Sequence, residues 1–245
     1  MQQTKTHHQF TTEKPLMSDI TLGQENSANI DMSIGIIGSG ALGSNLARLL
    51  AKNGIAATIA NRRGPESLAD FVAEVGPSIK AGTVAEAASA DIVIAAVRWV
   101  DAEKVFSILP AWNGRIVIDS TNPVEFLDPD SPDAKDPSNP LAAYGIRAVD
   151  LGGKSSSEVF KQYIPGARVV KAFNHLEVDL LQEPKVSGGQ RVLFYSGDDA
   201  DAKTQVRKII DGTGFFPVDL GTLEAGGTIA SLPFGSLAAH NFIKI

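Results

Sequence analysis

The sequence predicts an α/β fold, in which a doubly wound parallel sheet is followed by a small C-terminal α/β lobe. From Ile34 onward, short β-branched runs alternate with amphipathic helical stretches, which is the pattern of strand–helix–strand units. Two of the runs, residues 91–97 and 115–118, are apolar after their first residue, as expected of central parallel strands. A glycine-rich turn, GSGALG, directly follows the first run. Together these features favour strands buried beneath helices on both faces.

Glycine, proline and asparagine residues, which begin or end helices, predict the bounds of the elements in the first half of the chain. Asn53-Gly54 ends the first helix, and Gly64-Pro65-Glu66 begins the second, because proline suits the first helical position. Gly76-Pro77 ends that helix. The elements predicted up to residue 123 are strands over 33–37, 55–60, 79–83, 91–97 and 115–118, and helices over 41–52, from 64 to 76, and over 101–109.

After Pro123 the segment EFLDPDSPDAKDPSNP is rich in proline and aspartate, and we interpret it as a long irregular loop. The elements predicted beyond it are helices over 155–163 and 200–211, and strands over 167–172, 191–196 and 215–219. We therefore divide the chain into a flexible N-terminal tail (1–31), a nucleotide-binding domain (32–123) and a C-terminal α/β substrate lobe (124–245).

Composition restricts the classes of function. The 245 residues are 43% hydrophobic and carry a formal net charge of −6, which predicts a globular protein without general affinity for nucleic acid or an anionic membrane. There is no cysteine, and the four histidines show no metal-ligand spacing, so we expect no metal site. The polar N-terminus does not resemble a secretory signal, which favours a cytoplasmic protein.

The turn after the first strand matches the G-x-G-x-x-G pattern of dinucleotide-binding, Rossmann-type folds. Gly38 permits the tight turn, Gly40 lets a diphosphate approach the backbone, and Gly43 lets the helix pack closely on the strand. The backbone amides at the start of the helix then attract the anion. The cofactor-binding residues predicted here are Gly38, Ser39, Gly40, Ala41, Leu42 and Gly43. A loop that merely needs glycines is the alternative.

The residues after the second strand predict which dinucleotide binds. NAD-binding folds place a carboxylate there, about 20 residues past the glycines, to bind the ribose hydroxyls. This chain has Asn61, Arg62 and Arg63 instead, and a guanidinium suits the 2′-phosphate of NADP(H). Ser67 at the start of the next helix can add a hydroxyl. Alternatively, the two arginines are simply solvated, with Glu66 as a partner.

Two further strand ends are predicted to line the cofactor, since ligands of open α/β sheets lie at the carboxyl ends of the strands. They are Val97-Arg98-Trp99 after the fourth strand and Asn122-Pro123 after the fifth. Trp99 would form a wall for the nicotinamide, and Asn122 would orient the ribose. The alternatives are a buried aromatic residue and a turn-forming Asn-Pro pair.

These motifs, with DIVIAAVRW, IVIDSTNP, VVKAFN and GFFPVDLGTLEAGG, resemble the NADP oxidoreductases of the coenzyme F420-dependent type from about residue 32 to 223. The nucleotide module is also similar to that of the six-transmembrane epithelial antigen ferric reductases. The resemblance implies a nicotinamide between two lobes, with a flavin-like acceptor stacked on it, and cofactor roles for the glycines, Arg62, Arg63 and Asn122. The family commonly has proline where this chain has Arg98, a cation that suits a diphosphate or an anionic substrate.

No residue stands out as a catalytic acid. The Tyr-x-x-x-Lys dyad is absent, and we interpret Lys171, near a strand end, as structural. His175 is the one candidate acid near the expected cleft, with a core or surface histidine as its alternative. Because a flavin-like acceptor can take its compensating proton from solvent, a site without an acid fits hydride transfer between two rings.

The sequence therefore predicts an NADPH-dependent oxidoreductase that acts on a deazaflavin, a flavin or a related small electron acceptor, and that forms a homodimer. Two other functions are open. One is an NADPH-binding sensor without turnover. The other is an imine or β-hydroxyacid reductase, although such enzymes usually carry a long helical dimerisation domain, which the strand-rich C-terminal segment does not favour.

Overall fold

The computed structural model describes residues 30–245, so almost all of the predicted tail lies outside the described residues. Ile30, in the last part of the predicted tail, belongs to the folded structure. Ile30 and Met32 are half-buried and pack against the core, so the described chain joins the fold from its first residue.

The sheet elements follow the predicted order, with additions in the second half. The strands are β1 (Ile34–Ile37), β2 (Ala57–Ala60), β3 (Ile79–Gly82), β4 (Ile92–Ala95), β5 (Ile116–Asp119), β6 (Val124–Phe126), β7 (Ile146–Ala148), β8 (Arg168–Ala172), β9 (Lys185–Val186), β10 (Gly189–Gly197), β11 (Phe216–Asp219) and β12 (Ile243–Lys244).

Seven α-helices connect these strands within the described residues. They are α1 (Ala41–Lys52), α2 (Ala69–Val75), α3 (Val84–Ala88), α4 (Trp99–Phe106), α5 (Ser156–Tyr163), α6 (Ala200–Gly212) and α7 (Leu223–Ala230). The helix predicted from Gly64 begins as a 3₁₀ turn over Pro65–Leu68 and continues as α2. None of the helices in residues 30–245 is long and apolar enough to cross a membrane.

One sheet runs through the molecule in the order β11-β10-β8-β5-β4-β1-β2-β3. The strands from β8 to β3 are parallel, and β4 returns beside β1 on the side opposite β2. This reversal is the switch point at which open α/β sheets bind ligands. The Rossmann-type, doubly wound fold class is therefore confirmed.

Helices cover both faces, and each face builds its own core cluster. On the first face, called here the α1 face, Leu46 and Leu50 of α1 and Val206 of α6 pack on the isoleucines of the central strands. On the second, the α5 face, Phe106 of α4 and Phe160 of α5 pack on the alternate residues. The central parallel strands β1, β4 and β5 are thus buried on both sides, which explains their apolar sequences.

The C-terminal segment does not build a sheet of its own, as the expected lobe would require. β8 pairs with β5, β10 pairs antiparallel with β8, and β11 pairs parallel with β10. The strands after residue 167 therefore extend the nucleotide-binding sheet. An apolar strand finds its hydrogen-bond partners most easily at an existing edge, here the free edge of β5.

The sequence did not predict strands β6, β7, β9 and β12 or helices α3 and α7. The loop expected after Pro123 contains the antiparallel pair β6–β7, with a 3₁₀ turn over Pro132–Lys135 between the strands. α3 is held by a capping box between Thr83 and Glu86. α7 packs on α5 and β10 and carries the chain back toward the carboxyl ends of the central strands.

Candidate functional site

The glycine turn has the geometry that a dinucleotide requires. Gly38 has φ +114°, and a Cβ there would lie 2.1 Å from the Ala96 carbonyl oxygen. A Cβ on Gly43 would lie 2.0 Å from the Gly38 carbonyl oxygen, so α1 packs directly on the turn. A Cβ on Gly40, by contrast, would meet nothing within 4 Å. Two glycines therefore serve the fold, and the third keeps a space open.

The start of α1 faces this open space without a protein cap. Gly40 is the N-cap residue and offers no side-chain hydrogen bond, and the first turn contains no acidic residue. The first helical hydrogen bond runs from the Ser44 N–H to the Gly40 carbonyl at 2.9 Å. The preceding amides, on Ala41, Leu42 and Gly43, are thus available to an anion, so the turn fits a diphosphate.

Asn61, just after β2, fixes the turn to the next helical segment. Its Nδ2 donates to Ser39 Oγ at 2.9 Å and to Ser67 Oγ at 3.1 Å. Its Oδ1 accepts from the Arg63 N–H at 2.8 Å. The Ser67 hydroxyl lies 2.7 Å from the Gly64 carbonyl, which accepts its hydrogen bond. The structure thus brings together three of the predicted site residues, Ser39, Asn61 and Ser67.

Arg62 and Arg63 are both exposed on the turn that follows Asn61. Within residues 30–245 neither guanidinium forms an ion pair, and Glu66 does not serve as a partner. Two unneutralised positive charges next to the start of α1 produce a local site for an anion on a protein of net negative charge.

The end of β4 differs from the prediction in one residue. Val97 is half-buried, and Arg98 is exposed and paired with Asp101 at 2.9 Å. Trp99, however, is 7% exposed and packs in the core, with its ring 6.5 Å from that of Tyr163. We correct its assignment as a nicotinamide wall, because α4 begins at Trp99 and turns the indole toward the α5 face.

At the end of β5, the side-chain amide of Asn122 forms hydrogen bonds within the protein and is not free to bind a ligand. Its Nδ2 donates to the Asn174 carbonyl at 2.8 Å. Its Oδ1 accepts from Asn174 Nδ2 at 3.1 Å and from the Leu232 N–H at 3.0 Å. With both lone pairs of Oδ1 in use, the side chain has little left to orient a ribose, and we correct that assignment. Pro123 is buried, and its carbonyl accepts from the Val149 N–H.

Beneath this edge lies a buried ion pair. Lys171 Nζ is 3.0 Å from Asp119 Oδ2 and also donates to the Thr121 carbonyl and to Ser156 Oγ. Asp119 further accepts from the hydroxyl of Ser157 at 2.7 Å. Burial lowers the pKa of Lys171, and the Asp119 carboxylate opposes that shift. This placement agrees with the structural role predicted for Lys171.

His175 does not lie in a cleft as a proton donor. The residue is 1% exposed, and its Nε2 accepts from the Phe194 N–H at 3.0 Å. Its Nδ1 is buried without a partner, and burial lowers the pKa of the imidazole to about 4. The imidazole packs against the ring of Phe194 in a tilted arrangement, with a centroid distance of 4.8 Å and an interplanar angle of 47°. We therefore withdraw His175 as a candidate acid, since it is a neutral core histidine.

Sequence reasoning missed the residues that support the site from below. Asp119 was visible as a carboxylate at the end of an apolar strand, but its partners Ser157 and Lys171 are distant in the chain. Ser120, next to it, is 2% exposed and has a hydroxyl without a partner. Gly35 within β1 was also missed, although a Cβ there would lie 1.9 Å from the Ala87 carbonyl oxygen.

A cavity of about 510 Å³ lies between the ends of α1 and α6 and residues 182–185, and none of the predicted site residues lines it. No group of three or more potential metal ligands is found in residues 30–245.

Residues 33–123 match the family model described as NADP oxidoreductase, coenzyme F420-dependent. A hypothetical protein from Sinorhizobium meliloti, known from its crystal structure, is 39% identical, with a TM-score of 0.76 over 90% of this chain and 100% of that one. A candidate F420-dependent NADP reductase from Arthrobacter sp. FB24 is 24% identical, with a TM-score of 0.60 over 78% of this chain and 86% of that one, and shares the fold.

Metalloreductase STEAP3 of Rattus norvegicus is 26% identical over 227 residues, which make up 90% of this chain. The chain spans only 41% of the length of that relative. The glycine turn, the arginine pair and strands β1 to β5 all lie in the segment that matches the family model. Residues 33–123 therefore belong to the family of coenzyme F420-dependent NADP oxidoreductases, whose members are NADP-dependent enzymes.

Proposed function

We propose that this chain is a cytoplasmic enzyme that transfers a hydride between NADP(H) and a deazaflavin, a flavin or a related small acceptor. The observation that carries the proposal is the pair of unpaired guanidinium groups, on Arg62 and Arg63, beside a glycine turn with an open Gly40. A carboxylate at this place would repel a 2′-phosphate, whereas arginine attracts it.

The diphosphate and the 2′-phosphate of the coenzyme each have protein groups suited to them. The amides at the start of α1 would hold the diphosphate, and Arg62 and Arg63 would hold the 2′-phosphate. Asn61 keeps this arrangement in place by joining the glycine turn to Ser67. When bound, NADPH supplies the hydride, and the chain contributes its position and the exclusion of water.

We choose a flavin-like acceptor because His175 and Lys171 do not provide a proton donor at this edge of the sheet. Reduction of a ketone or an imine needs a positioned proton donor. At the carboxyl ends of β5 and β8, His175 is buried and neutral and Lys171 is enclosed by its own partners. A flavin or deazaflavin ring takes its proton from solvent, so this edge of the sheet is sufficient for it.

The test compares NADPH and NADH oxidation with FMN, riboflavin and an 8-hydroxy-5-deazaflavin as acceptors, followed by loss of coenzyme absorbance. Arg62→Ala and Arg63→Ala should each weaken NADPH binding by about 1–3 kcal/mol, the range for a charged hydrogen-bond partner, and leave NADH binding unchanged. Arg48→Ala is the matched control, because Arg48 is a partly exposed arginine of α1 that forms its own ion pair, with Glu74. Equal losses for both coenzymes would contradict the 2′-phosphate assignment.

An NADPH-binding sensor is the second candidate, and the missing proton donor favours it as well. Tight NADPH binding without turnover on any acceptor of the panel would select it. An imine or β-hydroxyacid reductase is less well supported, because the longest helix described beyond residue 123 is α6, with 13 residues. A long helical dimerisation domain would need longer helices than this.

We also propose that the chain forms a homodimer. Ile229, Phe234 and Phe242 are exposed, and exposed apolar side chains of this size commonly mark an interface. Ile229 and Phe234 share one folded-back segment, which the Leu237 N–H closes onto the Ile229 carbonyl. Phe234→Ser should shift the mass measured by light scattering from dimer toward monomer. A wild-type protein that is monomeric at all concentrations would refute the proposal.

A further inference from the structure

We propose that Lys171 is a positioning residue of the NADP(H) site, and that it acts through the peptide bond between Thr121 and Asn122. The inference rests on the proposed function and on the expectation that the nicotinamide half of the coenzyme lies along the carboxyl ends of β4 and β5, where open α/β sheets bind their ligands. Lys171 does not touch the ligand. It strengthens a backbone donor that does.

The ammonium group of Lys171 is fully occupied inside the protein. Its three donors reach Asp119 Oδ2 at 3.0 Å, the Thr121 carbonyl at 2.5 Å and Ser156 Oγ at 3.2 Å. The side chain is 1% exposed. Because an ammonium group has three N–H donors, none remains for a ligand.

The contact with Thr121 has an effect on the other end of the same peptide unit. A carbonyl that accepts a hydrogen bond from a cation is polarised, and its N–H becomes a better donor. That N–H belongs to Asn122, which is half-exposed. Within residues 30–245 no acceptor lies within hydrogen-bond range of it. A strengthened donor is thus left without a partner at the edge where ligands bind.

The direction of this donor follows from the strand register. Asp119 and Lys171 are adjacent across β5 and β8 and interact on the α5 face. In a trans peptide the N–H points opposite to the C=O, so the Asn122 N–H points away from Lys171 and toward the α1 face. The uncapped start of α1 lies on that face. We infer that the donor binds the carboxamide oxygen of the nicotinamide ring.

The test uses two probes, NADP⁺ and 2′-phospho-ADP-ribose, which has the same phosphates and lacks the nicotinamide. Lys171→Met removes the cation but leaves Asp119 buried and unpaired, so that variant risks unfolding. The double variant D119N/K171Q removes both charges and keeps polar groups at both positions. Lys161→Met is the matched control, since Lys161 is a half-exposed lysine on α5.

In calorimetric titrations, the double variant should bind NADP⁺ roughly fivefold more weakly, as expected when a charge-strengthened hydrogen bond becomes an ordinary one. It should bind 2′-phospho-ADP-ribose as the wild type does, and the control should bind both probes normally. Equal weakening of both probes would indicate a structural role only and overturn the inference, as would no weakening of either. A wild-type protein that binds neither probe would refute the proposed function itself, and with it this inference.

Discussion

Substitutions at two glycines of the same turn should separate stability from binding. A Cβ at Gly43 would lie 2.0 Å from the Gly38 carbonyl oxygen, whereas ordinary van der Waals contact begins at 3.4 Å. The start of α1 must then move more than an ångström away from the turn. At Gly40 an added Cβ meets nothing within 4 Å, and the backbone φ of −72° suits alanine.

The magnitudes follow from these distances. Overpacking of this kind costs about 1–3 kcal/mol, and the clash with backbone atoms places Gly43→Ala near the upper end. Alanine returns about 1 kcal/mol of helix propensity, which leaves a net loss of about 2 kcal/mol. For Gly40→Ala, the poorer N-cap and the smaller entropy of the unfolded chain nearly cancel, so the change should stay within about 0.5 kcal/mol. The methyl group would nevertheless occupy the approach to the turn and weaken NADP⁺ binding tenfold or more, or about 1.4 kcal/mol.

Urea unfolding, followed by the fluorescence of the buried Trp99 and Trp112, measures the first quantity, and titration with NADP⁺ measures the second. We expect Gly43→Ala to unfold early and Gly40→Ala to unfold with the wild type while binding poorly. If Gly40→Ala binds NADP⁺ normally, the diphosphate does not approach the turn at that residue. If Gly43→Ala is as stable as the wild type, the inference that α1 packs too closely on the turn to admit a side chain at residue 43 is wrong.

Two further predictions concern stability. Burial lowers the pKa of His175 from 6.5 to about 4, so as the pH falls the histidine is protonated in the unfolded chain before it is protonated in the folded one. The folded state therefore loses roughly 3 kcal/mol of stability from this residue between about pH 6.5 and about pH 4. Unfolding free energies at about pH 7 and about pH 4.5 should differ less in His175→Gln than in the wild type, and an identical pH dependence would contradict the burial argument. Thr83→Ala removes the cap of α3 and should cost about 1 kcal/mol, measured by urea unfolding, with Thr228→Ala on α7 as a control that leaves every helix cap intact. Equal losses in these two variants would show that the capping box contributes nothing specific.

The sequence was sufficient for features that depend on near neighbours in the chain. The G-x-G-x-x-G pattern predicts the turn because each glycine answers a local demand, which the distances at Gly38 and Gly43 illustrate. Residues 41–52 were predicted as a helix with the bounds that α1 has. Asn61 and Ser67, six residues apart and both predicted at the cofactor site, form a hydrogen bond at the end of β2. The cofactor roles of these residues remain predictions.

Other assignments failed because the direction of a side chain depends on distant partners. Trp99 faces the core because α4 begins two residues earlier than the predicted helix and turns the indole inward. Asn122 uses its amide oxygen on Asn174 and Leu232, which are 52 and 110 positions away. His175 is neutral because Phe194 and the surrounding core exclude water from it. No local pattern contains these partners.

The amino-acid sequence by itself determined the order of the main strands and helices, the glycine turn and the positive charge beside it, since helix caps, glycine conformations and apolar periods act over a few residues. Only the tertiary structure decided that β8, β10 and β11 continue the same sheet, and that Lys171 and Asp119 form a buried ion pair below its edge. The physical reason is that strand pairing and the burial of charge are settled between segments far apart in the chain, where each group accepts whichever partner the packed fold brings to it.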